Sequence, residues 1–376
     1  CAHPHGVPLP AVMNEGAGPE LTRLAVLHSR LSPHMAACFR TLRQRHGVTL
    51  LVVRVPPADN APFDDRHFDE IDHLYDRNAL SVADMADLLK AFAPDAVFMS
   101  GWFDDGYLQV ARAMRDQGVV VVAGSDEQWT GSWRQQGARL IAPWYLHSAI
   151  DVLWVAGERQ RQFARRLGFR GAQCWDGVYG CDWEAFAAQH TGALPRAFLF
   201  VGRYIRRKGV DLLADAYATY RAETETPWRL ICAGSGPQEG LLDDRPGIEN
   251  RGFVQPNALP DLMAEAGALV LPSREEPWGV VVAEAAAAGR PLLCSEACGA
   301  AVHLLRDRYN GYLVQSESAR HLARCMRTLS TLPDEQRQRM GARSHMLSKQ
   351  YTPARWADTL TSGIHDWYAS DRSPAR

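Results

Sequence analysis

Two carboxylates and a run of backbone amides lie close together within residues 273–291. Glu276 precedes an apolar, alanine-rich stretch, and Glu284 lies within that stretch. The helix dipole favours a carboxylate at a helix start, whereas a carboxylate on an apolar helix needs hydroxyl or amide partners. Ribose hydroxyls would be suitable partners for Glu284. Local caps and ion pairs account for the two residues equally well.

The same segment predicts an anion site. Pro277 suits the first position of a helix, and we expect a buried helix over residues 280–288 that ends at Gly289. Amides near Trp278, Gly279 and Val280 would then be unpaired at the helix start. Unpaired amides at a helix N-terminus attract anions.

A basic loop follows a predicted strand at 197–201. Gly202 allows a sharp turn, and Arg203 and Lys208 follow it closely. A forked guanidinium and a compact ammonium together suit a diphosphate. The alternative is a solvated basic loop, which is the expected state of Arg206 and Arg207.

The elements that position these groups are of two kinds. Short apolar runs alternate with amphipathic stretches, which indicates parallel sheets covered by helices on both faces. Strands are predicted at 24–28, 48–55, 96–100, 119–123 and 152–156, and again at 197–201, 229–233, 268–271, 291–294 and 311–314. The predicted class is α/β, with two Rossmann-like domains whose parallel sheets face a central cleft.

The chain length and a turn-like stretch indicate the domain limits. A chain of 376 residues suits two domains, and a turn-like, polar stretch at 176–196 interrupts the alternation. We expect a loose leader over 1–20, one domain over 21–190, a second over 191–350 and a terminal helix over 351–376. Thr352 can cap that helix, and its apolar residues recur at helical spacing: Trp356, Leu360, Ile364 and Trp367.

Bulk properties exclude several classes. The formal net charge of −2 provides no field that attracts nucleic acid. No run of 18 apolar residues predicts a membrane span. The eight cysteines lack zinc spacing and are expected to be buried, reduced thiols, which fits a cytoplasmic location.

Taken together, these motifs resemble the retaining glycosyltransferases of family four. The sequence Val201-Gly202-Arg203 with Lys208-Gly209, and Glu276-Pro277-Trp278-Gly279 with Glu284, follow two family segments in order. Further matches lie at 232–237, 252–254, 270–273 and 310–314. Agreement of several ordered motifs over about residues 172–330 makes the resemblance specific.

The resemblance implies a GT-B fold and transfer of a sugar, with retention, from a nucleotide-diphosphate sugar to a glycan or lipid-linked acceptor in polysaccharide or glycoconjugate synthesis. It implies that Arg203 and Lys208 hold the diphosphate, that Glu276 contacts the transferred sugar, and that Glu284 binds the ribose. The other predicted donor-binding residues are Gly202, Phe253, Val254, Arg274, Trp278, Gly279 and Val280. It also implies that the terminal helix crosses back to the N-terminal domain.

The N-terminal half departs from the family pattern. The first loop, at 28–34, lacks the usual glycines, and residues 123–129 lack the usual histidine. Asp126 is the nearest ionisable residue and a catalytic candidate, although capping of the next helix explains it equally well. The acceptor-side candidates are Ser29, Arg30, Trp102, Asp105 and Trp129.

Other interpretations of the sequence stay open. Basic clusters within 40–45 and 159–170 could touch the inner face of an anionic membrane, although solvated helix faces explain them more simply. No Asp-x-Asp pair ends a strand of the donor half, so we expect no essential metal and no cofactor. The alternatives are another enzyme of this fold, such as a sugar-nucleotide epimerase or a phosphorylase, and a non-catalytic protein that binds nucleotide sugars or glycans.

Overall fold

The computed structural model describes residues 20–29, 31–56, 68–192 and 194–370. Most of the predicted leader and the candidate Arg30 lie outside the described residues. Within them, two parallel sheets are covered by helices, which confirms the predicted α/β class with two Rossmann-like halves.

The N-terminal half contains a seven-stranded sheet among the described residues, in the order β3-β2-β1-β4-β5-β6-β7. Its central strands are apolar on both faces because helices cover both sides. The strands are β1 Arg23–His28, β2 Thr49–Arg54, β3 His73–Asp76, β4 Ala96–Met99, β5 Val120–Ser125, β6 Val152–Val155 and β7 Cys174–Asp176; the helices are α1 Pro33–His46, α2 Val82–Phe92, α3 Asp105–Arg115, α4 Trp133–Tyr145 and α5 Glu158–Arg166.

The C-terminal half contains a six-stranded sheet among the described residues, in the order β10-β9-β8-β11-β12-β13. A short helix, α6 Trp183–Ala187, precedes it. The strands are β8 Ala197–Val201, β9 Arg229–Ala233, β10 Ile248–Asn250, β11 Ala268–Leu271, β12 Leu292–Ser295 and β13 Gly311–Val314; the helices are α7 Val210–Ala222, α8 Leu259–Ala264, α9 Val280–Ala287, α10 Ala301–Leu304, α11 Ala319–Thr331, α12 Asp334–Ser348 and α13 Pro353–Ala369.

The last helix, α13, packs on the N-terminal half. Thr352 caps it and Pro353 occupies its first turn. Trp356 packs against Phe39, Phe98 and Trp154, and its indole N–H donates to the Val178 carbonyl at 2.8 Å. The chain therefore connects the two halves a second time, through α13.

Helix α9 begins at Val280, as the sequence predicts, but Pro277 lies outside it. Gly279 has φ 95° and precedes the first helical residue, Val280, so Pro277 does not occupy the first turn. Glu276 instead forms an isolated parallel bridge with Cys298, which keeps the backbone before Pro277 extended. The expectation about Pro277 was therefore wrong.

Two further features concern composition. The cysteines at 38, 174, 181, 232, 294, 298 and 325 are free and buried, as small hydrophobic side chains. In the described part of the chain, no helix combines the length and apolarity needed to cross a membrane.

Candidate functional site

A cleft of about 580 Å³ opens between the two halves at the carboxyl ends of their strands. Loops after β8 and β9 form its floor, and loops of the N-terminal half form the opposite wall. The lining residues are Ser32, Pro33, His34, Asp126, Tyr179, Val201, Gly202, Arg203, Lys208, Ala233, Gly234, Ser235, Phe253, Val254, Pro256, Leu259 and Glu284. Ligands of parallel α/β sheets bind at this edge.

The floor depends on close backbone approach. Gly234 has φ 154°, and a Cβ there would lie 1.9 Å from the carbonyl oxygen of Gly202. Gly209 has φ 71°, and a Cβ there would lie 2.3 Å from the carbonyl oxygen of Pro272. Only glycine fits these positions, because a side chain would strike backbone. The glycines thus bring the β8, β9 and β11 loops together.

Arg203 and Lys208 provide the positive charge of the cleft. Arg203 is exposed, and no described residue pairs with its guanidinium. The Lys208 ammonium forms an ion pair with the buried carboxylate of Glu276, which also accepts a hydrogen bond from the Ser273 hydroxyl at 3.1 Å. A diphosphate at this position would meet one free guanidinium and one ammonium already held in place.

Glu284 faces the cleft from α9. Burial is the main reason that the pKa of Glu284 rises from 4.5 to about 7, and the charge of Asp182 adds to the shift. Among the described residues, no donor bonds the Glu284 carboxylate. A partly buried carboxylate without donors is costly, and it would gain from the hydroxyl donors of a ligand.

One side of the cleft is apolar. Phe253 and Val254 follow β10, and Pro256 and Leu259 continue the same wall. All four are partly exposed. A flat, apolar wall beside a basic floor suits a nucleobase attached to a diphosphate.

A second pocket of about 270 Å³ lies on the N-terminal side and shares Ser32, His34, Asp126 and Tyr179 with the cleft. The predicted residues Ser29 and Trp102 line it, together with His28, Met35, Phe98, Ser100, Gly101, Phe103, Gly124, Ser125, Glu127 and Val178. The two pockets therefore meet at a small shared wall.

Asp126 lies on that shared wall. Burial raises the pKa of its carboxyl, and a hydrogen bond from the Tyr179 hydroxyl opposes this shift. The negative charge of the buried Glu276 carboxylate also raises the pKa of Asp126. Asp126 is thus placed where it could accept a proton or hydrogen bond from a hydroxyl group in either pocket.

His34 was not among the sequence candidates, yet it lines both pockets. Burial lowers the pKa of His34 to about 4, so its imidazole is neutral near pH 7. Its ring meets Tyr179 edge-on at 5.5 Å, and it hydrogen-bonds the Ser32 hydroxyl at 3.0 Å. A signal existed: His34 ends the glycine-free loop after the first strand, which is the edge where ligands bind. Tyr179, in the turn after β7, was not among the sequence candidates either.

The halves also touch directly beside the cleft. The Gln160 amide, buried on α5, donates to the carbonyl oxygens of Pro277 at 2.5 Å and of Asp126 at 3.2 Å. The buried Trp278 indole packs against Tyr179 and Tyr351. Of the predicted anion site, only the backbone at 278–280 remains available, and the amides of these residues have no acceptor among the described residues.

Three candidates do not reach the cleft. Arg274 pairs bidentately with Asp211 at 2.6 and 2.8 Å, and also with Glu317. Asp105 accepts a hydrogen bond from Tyr145. Trp129 packs on Phe163 and under Arg166, against the hydrophobic cluster of the N-terminal half that contains Phe163. These partners hold the three side chains away from both pockets. No group of three or more potential metal ligands occurs among the residues described.

Comparison with known proteins relates the C-terminal part of this cleft to a family. Residues 195–331, which contain the floor of the cleft, match the model of the glycosyl transferases group 1. Residues 195–331 belong to the group 1 glycosyltransferases. This domain supplies Arg203, Lys208 and Glu284.

Sequence similarity to known proteins extends beyond residues 195–331. The glycogen synthase of Mycobacterium tuberculosis is 25% identical over 66% of this chain. The D-inositol 3-phosphate glycosyltransferase 1 of Catenulispora acidiphila is 32% identical over 60% of it. The matches span 61% and 53% of those two proteins, so the chain covers little more than half of their length.

Solved structures match over nearly the whole chain. HepE of Anabaena, in complex with UDP and glucose, superposes with a TM-score of 0.72 over 92% of this chain and 100% of its own, at 15% identity. A glycosyltransferase of Rickettsia africae superposes with a TM-score of 0.74 over 94% of this chain and 99% of its own, at 12% identity. The fold of this chain is therefore GT-B.

Proposed function

We propose that the chain is a glycosyltransferase that moves a sugar from a nucleotide-diphosphate donor to a glycan or a lipid-linked acceptor. One observation carries this proposal: a single cleft brings together four side chains. They are the basic pair Arg203 and Lys208, the Glu284 carboxylate, which lacks a hydrogen-bond donor among the described residues, and Asp126 from the opposite half. The HepE complex with UDP and glucose supports a nucleotide-sugar donor.

The donor would lie across the floor. Its base would rest on the wall formed by Phe253 and Val254, and its ribose hydroxyls would donate to Glu284. The diphosphate would lie near Arg203 and Lys208. When the sugar leaves, negative charge develops on the phosphate, and fixed cations in a site shielded from water stabilise that charge.

The acceptor would enter through the N-terminal pocket. Asp126 stands where this pocket meets the cleft, so an acceptor hydroxyl could donate to it while facing the sugar. Contact between the halves through Gln160 and Trp278 would exclude water that could hydrolyse the donor. We further propose retention of the anomeric configuration, cytoplasmic location and no need for a metal.

A panel of nucleotide sugars tests the proposal. A true donor should raise the unfolding temperature by mass action, and the nucleoside diphosphate should be released when a suitable acceptor is added. Nuclear magnetic resonance of the product reports the anomeric configuration, and EDTA should leave the rate unchanged. An epimerase would instead convert the sugar without acceptor, and a binding protein would give stabilisation without turnover.

A further inference from the structure

Helix α4 presents an apolar face to solvent. Trp133, Leu140, Ile141 and Trp144 are between 55% and 78% exposed, and Ala142 is the helix's one buried residue among those described. Exposed tryptophans on a helix are costly in water, since each one leaves a large apolar surface uncovered. A cluster of them marks an interaction surface.

The exposed residues share one side of the helix. Trp133, Leu140 and Trp144 recur at spacings of seven and four residues, which places them above one another at 3.6 residues per turn, and Ile141 lies beside them. Ala142 lies on the opposite side and faces the core. The apolar stripe therefore points away from the protein.

A basic groove adjoins α4 on the side of Arg139. Arg139 of α4 and Arg165, Arg166 and Arg170 of the following segment line it, together with Gln162. No carboxylate lines the groove in the part of the chain that the structure describes. The Arg165 guanidinium lies 3.9 Å from the Glu158 carboxylate. No described acidic residue pairs with Arg139 or Arg170. The groove thus carries net positive charge that the protein does not neutralise.

The stripe connects to the N-terminal pocket. Phe103 lines that pocket and is 74% exposed. Two residues later, Asp105 accepts a hydrogen bond from Tyr145, which ends α4. The loop after Asp126 contains Trp129, and the Arg166 guanidinium of the groove lies over the Trp129 ring. Fixed contacts therefore link the surface to the pocket that would receive an acceptor.

We propose that the α4 surface, defined as the stripe of Trp133, Leu140, Ile141 and Trp144 with the adjoining arginine groove, docks on an anionic lipid surface. Tryptophans prefer the interface of a bilayer, and arginines beside them bind lipid phosphates. Docking would set the mouth of the N-terminal pocket against the membrane. The inference deepens the proposed function, because it favours a lipid-linked acceptor.

The charges argue against a second copy of the chain as the occupant. A symmetric dimer through this face would bring the same uncompensated arginines toward each other, and like charges repel. An anionic membrane instead complements both parts of the surface, the apolar stripe and the basic groove.

Vesicle sedimentation tests the inference on the full chain without any donor. Vesicles of phosphatidylcholine alone are compared with vesicles that also contain phosphatidylglycerol. Two variants remove one part of the surface each: W133S/W144S and R139E/R170E. Matched controls on the C-terminal half are Met346→Ser and Arg308→Glu, whose side chains are also exposed to solvent.

We expect the chain to sediment with anionic vesicles and to be released by salt. Each double variant should lose about tenfold or more of the partition coefficient, because W133S/W144S removes two interfacial tryptophans and R139E/R170E reverses two positive charges. The control variants should bind like the parent chain. Absence of binding by the parent chain, or binding that neither double variant weakens, overturns the inference. So does a dimer in solution that W133S/W144S dissociates while vesicles do not bind. Nucleotide binding is measured separately, so failure here leaves the donor site unaffected.

Discussion

The residue that most distinguishes this site is Glu284, because its surroundings favour a protonated carboxyl while its place in the cleft favours a bound hydroxyl. Glu284→Ala should weaken binding of the nucleoside diphosphate by about 1.5–3 kcal/mol, the range for a hydrogen bond to a charged group. Calorimetry measures the change. Unchanged affinity in a folded variant would rule out the ribose role.

The pKa of Glu284 gives a second outcome. The folded protein holds this proton up to a pKa of about 7, whereas the unfolded chain loses it near 4.5. The folded state therefore binds more protons between these values, and this contribution to the free energy of unfolding falls as the pH rises from about 4.5 to about 7. Glu284→Gln should show a smaller fall over that window in denaturant titrations. An identical pH profile would contradict the raised pKa.

Asp126 carries the proposed acceptor chemistry. Asp126→Asn keeps the size of the side chain but removes the proton acceptor, so we expect kcat to drop by about 100-fold or more while donor affinity stays within a factor of about two. Asp105→Asn is the matched control, because that carboxylate bonds Tyr145 outside both pockets. Equal rates for the two variants would remove Asp126 from the mechanism.

At the scale of elements, the cleft floor depends on Gly209. Gly209→Ala places a Cβ against the Pro272 carbonyl and should displace the loop that carries Lys208, with loss of both stability and donor binding. Gly47→Ala provides the comparison, since Gly47 has a similar φ of 67° but nothing within 4 Å of its Cβ. Gly47→Ala should lower the free energy of unfolding by only about 1 kcal/mol, because its one effect is the strain of a left-handed backbone. Similar effects of the two variants in thermal unfolding would contradict the close-approach argument.

Helix α13 packs against the N-terminal half through Trp356. Removing its indole leaves a cavity between α1 and the N-terminal sheet, so Trp356→Ala should lower the free energy of unfolding by about 3–5 kcal/mol. Trp133→Ala, on the exposed stripe, should change it by less than about 0.5 kcal/mol. Chemical denaturation followed by circular dichroism compares them. A small effect at Trp356 would show that α13 is not part of the N-terminal core.

The elements also show how far sequence reasoning reaches. The last strand, β13, has the predicted limits, because it is apolar and bounded by turns. Strands β3, β7 and β10 were missed, since they are short and carry polar residues at the outer side of a sheet. Helix α9 begins at Val280 as predicted, but Pro277 does not lie in its first turn, because a tertiary bridge at Glu276 overrides the local preference of this proline.

The candidate site was predictable where backbone geometry demands particular residues. Gly202, Arg203 and Lys208 follow a strand end, and the structure brings them together with Glu284. Arg274 was misplaced because its partner Asp211 is distant in sequence. Tyr179 was missed for the same kind of reason: its contacts with His34 and Asp126 cross the fold and leave no local pattern.

At the scale of the whole molecule, two Rossmann-like halves face one cleft and are joined twice, once through the segment after β7 and once through α13. The C-terminal half supplies the proposed donor side, with the Arg203 guanidinium, the Lys208 ammonium paired with Glu276, and an apolar wall. The N-terminal half supplies a smaller pocket with Asp126 at its junction. The central claim is that this cleft binds a nucleoside diphosphate through the C-terminal half.

Isothermal titration of the full chain with UDP, GDP and ADP tests that claim most directly. We expect one of them to bind with a stoichiometry of one, and Arg203→Ala to weaken that binding by about tenfold or more, because a charge-assisted contact to phosphate is lost. Arg308→Ala, an exposed arginine of the same half, should bind like the parent chain. Absence of binding by all three nucleotides, or equal affinity of the Arg203 variant and the parent chain, would contradict the account.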